Sequence, residues 1–239
     1  MEGSLRIFYL ASFFHLYAAF LGQREITVMT TPFIMMPLAH YAWHQLAKHE
    51  QLARYTAFAL LSAWFSDVFW VFKDQEIFFG LGAFTFLASY CYYLRVFWRY
   101  SSRKNTPKFT NFLCIVYFLV PSLGIVLLLE IVKPSISDWI LIGGYALFLA
   151  FMLQGAMSRY HGVSQKSFIL CMGGAVCFVI SAGIMVYQNH FSPVVLGDFG
   201  ERLSLVLAQF LIVSGLITYV KDRGQRREKK IALNCKVSA

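Results

Sequence analysis

Charge is what this chain has least of. Only 14% of its 239 residues are Asp, Glu, Lys or Arg, against 58% hydrophobic and 18% aromatic, far from the mix of a soluble domain. That excludes a water-soluble globular protein and points to an integral membrane protein. Acid is scarcer than base, 12 residues against 21, for a net charge of +9. None of the five cysteines stands in a CxxC pair; four fall in apolar segments and Cys235 lies near the C-terminus. They read as small buried hydrophobes, which excludes a disulfide framework or zinc site. The sequence contains no GxSxG, HExxH, P-loop or Ser-His-Asp pattern, so no hydrolase or nucleotide motif assigns chemistry directly. Low-complexity blocks and long linkers are lacking too.

Long apolar runs are abundant. A spanning helix needs roughly 20 apolar residues or somewhat fewer, and eight segments qualify: residues 5–21, 26–43, 55–72, 78–97, 109–131, 139–157, 168–187 and 203–220. The second is the weakest, interrupted by Pro32 and Pro37; such breaks are tolerated where neighbours or a cavity satisfy the backbone. Lys and Arg gather in the loops that face the cytoplasm. With eight spans, all but Arg24, Lys73, Lys133 and Arg202 of the 21 basic residues fall on one side. The expected fold is therefore all-α, a polytopic bundle of eight transmembrane helices with both termini cytoplasmic. It comprises one membrane domain over residues 1–220 and a basic cytoplasmic tail over 221–239, with the first helix retained and not cleaved as a signal. The positive charge reports orientation and the tail's affinity for anionic lipid headgroups. Nucleic acid is not an expected partner.

Within this apolar frame one residue is costly. Asp67, in the run WFSDVFW, is the sole charged side chain between Arg54 and Lys73, and an acid at the centre of a membrane helix costs roughly 2.5–3.5 kcal/mol to insert. Two readings stand: an acid that hydrogen-bonds a neighbouring helix, and a functional group. Depth, counted at about 1.5 Å per residue, places Asp67 in company. His15, Thr30, Thr31, Ser66, Thr85, Tyr145, Ser181 and Gln209 all fall roughly 6–10 Å inside the non-cytoplasmic ends of their helices. Such a layer suits a polar-floored pocket for an amphiphile, although Ser and Thr also bond their own helix carbonyls. His15 and His40 lie at opposite depths, which argues against haem. No cofactor or metal is expected.

Several stretches resemble the YhhN-like lysoplasmalogenases, also eight-helix membrane proteins. TTPFIMMPL at 30–38 is similar to the family's Thr-Lys-Pro and Met-Pro-Leu elements. ALLSAWFSDVFWVF at 59–72 and FFGLGAFTFLASYCYYLRVF at 78–97 resemble its Gly-Asp helix and the helix that follows it. GGAVCFVISAGIMVYQNHF at 173–191 is similar to its Ser-Asp helix, and LAQFLIVSG at 207–215 to its closing segment. Thr31 stands where the family has Lys, Ser66 where it has Gly, Ser89 where it has His and Ala182 where it has a second Asp. Thr30, Pro32, Asp67, Ser181 and Gln209 match. The resemblance implies hydrolysis of the vinyl-ether bond of a lysophospholipid to an aldehyde and a glycerophospho-base. One carboxyl protonates the enol ether and a second group steers water. On this chain the implied catalytic residues are Asp67 as acid, with Ser181 and Gln209 holding water. Thr30, Thr31, Pro32, Ser66, Thr85, Tyr145 and His15 would line the substrate pocket. The alternative is a non-catalytic lipid-binding or scaffold member of the same fold. Expected partners are a lysophospholipid or related amphiphile and the membrane lipids, and the favoured location is a bacterial inner membrane.

Overall fold

The computed structural model describes residues 2–72, 75–100, 136–160, 162–190 and 196–237, and every regular element among them is an α-helix. In chain order these are α1 (Glu2–Phe20), α2 (Arg24–Thr30), α3 (Pro32–Leu46), α4 (Glu50–Val71), α5 (Glu76–Arg99), α6 (Ile136–Met157), α7 (Gln165–His190) and α8 (Gly197–Val237). The expected span at 109–131 lies outside the described residues. Among the described residues three helices are long and apolar enough to cross a membrane, over Ile77–Arg99, Gln165–Gln188 and Gly197–Arg226. Charged and polar side chains dilute α1 and α4, which carry Arg6 and His15, and Glu50, Arg54 and Asp67 respectively.

The expected second span is two helices. Pro32 has no N–H to give the carbonyl of Val28, so the ladder breaks there, although Thr31 keeps helical backbone angles and its N–H still reaches Thr27 O at 3.1 Å. The Pro32 carbonyl, in the first turn of α3, accepts Trp64 Nε1 at 2.8 Å, tying α3 to α4 beside the break.

Each helix packs on its neighbour in the chain, and α1 closes the ring on α8. Direction follows from paired positions. Along α7 the contacts run from Ser167 with Gly215, through Cys171 with Ile212, to Ser181 with Glu201, so α7 and α8 are antiparallel. Helix α1 runs antiparallel to the α2–α3 pair, with Ser4 meeting His40 of α3 at one end and His15 meeting Thr30, the last residue of α2, at the other. By contrast α5 and α6 run parallel: Tyr145 meets Ala83 near both starts, and Gly155 meets Leu94 and Phe97 near both ends.

Small residues permit the closest approach between helices at some positions. A Cβ on Gly174 would stand 2.6 Å from Ile212 Cγ1 and 2.8 Å from the Ala208 carbonyl, and one on Gly215 would stand 2.5 Å from Cys171 Sγ. Ser66 donates to the Gly82 carbonyl at 2.8 Å between α4 and α5. Gly80, Gly143 and Gly144 have nothing within 4 Å among the described residues.

Residues 221–237 are helical and continue α8 without a break. At about 1.5 Å per residue a 41-residue helix outruns a bilayer's ~30 Å hydrocarbon thickness, so its far end projects beyond it. Arg159, counted as a loop cation, is fully buried. Its guanidinium donates to Cys171 Sγ at 2.8 Å and Ser167 Oγ at 3.3 Å, and lies 5.5 Å from the Phe97 ring and 5.7 Å from that of Tyr219. Aromatic faces and hydrogen bonds replace water around that charge, locking α5, α6, α7 and α8 together.

Candidate functional site

At the bundle end where α4 and α7 finish and α8 begins, the helices enclose a cavity of about 230 Å³. Its floor is aromatic: Tyr90 and Tyr145 meet edge to face, Phe86 packs on both, and Tyr145 donates to the Ala83 carbonyl at 2.8 Å. Asp67, one turn from the end of α4, faces this floor from the wall and is partly accessible through the cavity. Beside it Val28 and Thr31 come from the α2–α3 break, and Trp70 and Val71 from the last turn of α4.

The opposite wall carries most of the charge. Asp198, Glu201, Arg202 and Leu205 recur at helical spacing on one face of α8 and all line the cavity. Ser181, Ala182, Met185 and Gln188 line it from α7. Asp67 lies close enough to Arg202 and Glu201 to interact electrostatically with both, attracted by the first and repelled by the second. Glu201 is anchored twice: its backbone carbonyl accepts Ser181 Oγ at 3.1 Å, and its Oε2 accepts Gln188 Nε2 at 3.3 Å. Asp198 is exposed at the mouth.

Arg202 is held from behind. The Thr30 hydroxyl donates to its own helix, toward the carbonyls of Ile26 at 2.9 Å and Thr27 at 3.0 Å. Its oxygen is thereby left to accept from His15 Nδ1 at 2.9 Å. The other ring nitrogen of His15 then carries the lone pair and accepts Arg202 Nη1 at 3.4 Å. This chain fixes the tautomer of His15 and makes His15 and Thr30 positioning residues for the guanidinium.

Of the residues expected from the sequence, the structure brings Asp67, Thr31, Ser66, Tyr145 and Ser181 to one cavity. Ser66 and Ser181 spend their hydroxyl protons on backbone carbonyls. Gln209 does not join them. It lies one turn beyond Leu205, fully buried, where its Oε1 accepts the Tyr93 hydroxyl. Thr85 bonds the Leu81 and Gly82 carbonyls of its own helix at 2.8 and 3.1 Å and is not in the cavity wall. Pro32 contributes the break that shapes the wall, and His15 and Thr30 act through Arg202. The residues missed are Asp198, Glu201 and Arg202. The available signal was their spacing, since one face of an apolar helix carried three charges within its first two turns.

An all-helical chain of membrane type, with an acid and an Arg–Glu face meeting in a cavity at one end of the bundle, is the class this architecture defines. The sequence pattern of the YhhN family matches residues 26–216, and the chain belongs to that family. No curated protein and no solved structure matches it.

Proposed function

We propose that this chain is a multi-pass membrane hydrolase that cleaves the ether-linked chain of a lysophospholipid, with Asp67 as the acid and Glu201 as the second carboxyl. The observation that carries the reading is the meeting of Asp67, Glu201 and Arg202 in one cavity. Charge lost at two positions along the chain is present in space. Thr31 and Ala182 line the cavity without charge, and Arg202 and Glu201 from α8 bring a cation and a carboxylate into it.

The chemistry follows from these groups. Asp67 gives its proton to the vinyl carbon remote from oxygen, leaving positive charge shared between the adjacent carbon and the ether oxygen. Water adds to that carbon while Glu201 takes the proton it releases. The resulting hemiacetal loses its hydroxyl proton to Asp67, and its C–O bond to the glycerol breaks. Glu201 protonates the departing oxygen, and an aldehyde and a glycerophospho-base leave with both acids restored. Arg202, held by His15, offers a planar fork for the phosphate. A volume of about 230 Å³ is too small for a whole single-chain lipid, so the cavity takes the polar end and the scissile bond while the tail lies against the apolar helices.

Eight spans with both ends cytoplasmic suit this reading. The pattern of basic residues puts the cavity on the non-cytoplasmic side, and a bacterial inner membrane is the favoured setting.

The test is turnover of a vinyl-ether lysophospholipid by purified protein, compared with Asp67→Asn and Glu201→Gln. Each substitution is expected to lower kcat by about 100-fold or more, the scale of a lost general acid or base. Equal rates for wild type and Asp67→Asn would refute the mechanism. Tight retention of a lysolipid with no turnover by the wild type would establish instead the non-catalytic binder.

A further inference from the structure

At the end of the bundle away from the cavity, α3 carries His40 and His44 one turn apart on one exposed face. Two histidines at this i, i+4 spacing converge on one point beside a helix, the arrangement that lets a single metal ion take both. Here the two Nε2 atoms share a hydrogen bond at 3.1 Å, with ring centroids 4.5 Å apart and planes at 67°, and a bound ion would take the place of the shared proton. With metal–nitrogen bonds of about 2.0–2.1 Å, two imidazoles on one ion place their nitrogens about 2.9 Å apart at a right angle and about 3.4 Å apart at the tetrahedral angle. The observed separation falls between these limits.

A second element sets the ring. Ser4, from α1, meets His40 Nδ1 at 2.8 Å. A metal-ligating histidine is commonly held by such a bond through its other nitrogen, which fixes orientation and leaves Nε2 to the ion. Arg54, which lines the adjoining groove, is ion-paired with Glu50. That groove, with a volume of about 550 Å³ between Met36, Trp43, Phe58 and Leu61, leaves open space beside the His40 imidazole. No group of three or more His, Cys, Asp or Glu suited to a metal occurs among the described residues, so two protein ligands leave coordination positions for water or an exogenous anion.

We infer that His40 and His44 form a two-imidazole site for one divalent transition-metal ion of the Zn²⁺, Ni²⁺ or Cu²⁺ class, oriented by Ser4. Imidazole nitrogen suits these ions and excludes Mg²⁺ and Ca²⁺, which take oxygen ligands. Open positions make the site exchangeable.

The experiment uses the full chain, purified without a polyhistidine tag, stripped with chelator and returned to nanodiscs. Zn²⁺ is titrated against a competing chromophoric chelator, and Cu²⁺ loading is read by electron paramagnetic resonance. The expected result is one strong equivalent per chain and a spectrum with two equatorial nitrogens. His40→Ala and His44→Ala should each weaken binding at least tenfold, and Ser4→Ala by about tenfold, the usual effect of removing an outer-shell partner. Both histidines are exposed, so the variants are expected to unfold at the wild-type temperature, and His40→Gln supplies a second check. Absence of a strong equivalent in the wild type, or one that survives in His44→Ala, would overturn the site.

Discussion

Gly174→Ala adds one methyl group where the structure has no room for it. The new carbon would stand 2.8 Å from the Ala208 carbonyl and 2.6 Å from Ile212 Cγ1. The Ile212 side chain can rotate, but the carbonyl belongs to the backbone of α8, so the two helices must part by about 0.6 Å to restore ordinary contact. Overpacking of this kind costs about 1–3 kcal/mol, and the better helix propensity of alanine returns at most about 1 kcal/mol. The same separation carries the Ser181–Glu201 contact from 3.1 Å to about 3.7 Å, beyond hydrogen-bonding reach. A substitution far from the cavity should therefore destabilise the α7–α8 pair by about 1–2 kcal/mol and loosen the anchoring of Glu201. Gly143→Ala is the matched control, because none of the described residues lies within 4 Å of its added carbon. Reversible unfolding of both variants in mixed micelles, with Tm and turnover measured in parallel, makes the comparison. If Gly174→Ala unfolds at or above the Tm of Gly143→Ala, the close approach of α7 and α8 is not what holds this end of the site.

Arg202→Lys keeps the charge but loses the planar fork, so KM for a phosphate-bearing substrate should rise about tenfold while kcat changes less; a pure kcat loss would place Arg202 in the chemical step. His15→Ala should reproduce part of the Arg202→Lys defect, and the double variant should be no worse than Arg202→Lys alone. Additive losses in that cycle would show that His15 does not act through Arg202. Arg159→Lys forfeits stacking between Phe97 and Tyr219 and one hydrogen bond, which should lower stability by about 1–3 kcal/mol without changing KM; an unchanged Tm would remove Arg159 from the packing of α5 to α8.

Family membership and the all-α class were legible in the sequence, because motifs stand at fixed spacing along it and hydropathy marks where each helix runs. Asp67 stood out because charge is scarce, and Thr31, Ser66, Tyr145 and Ser181 followed at matching depth. Depth is only one coordinate. The direction a side chain takes around its helix axis, and which helix lies next to it, depend on packing between segments far apart in the chain. Thr85 and Gln209 share the depth of Asp67 yet stay out of the cavity, one bonded to its own helix and the other to Tyr93. Arg202 and Glu201 lie more than 130 residues from Asp67, and no pattern along the chain joins them to it. The close approach at Gly174 and the closing of α1 on α8 bring them to Asp67. What the sequence determined was the identity and depth of the groups. Only the tertiary structure decided which of them meet, because the side chains that set the separation and rotation of helices belong to both partners of each pair.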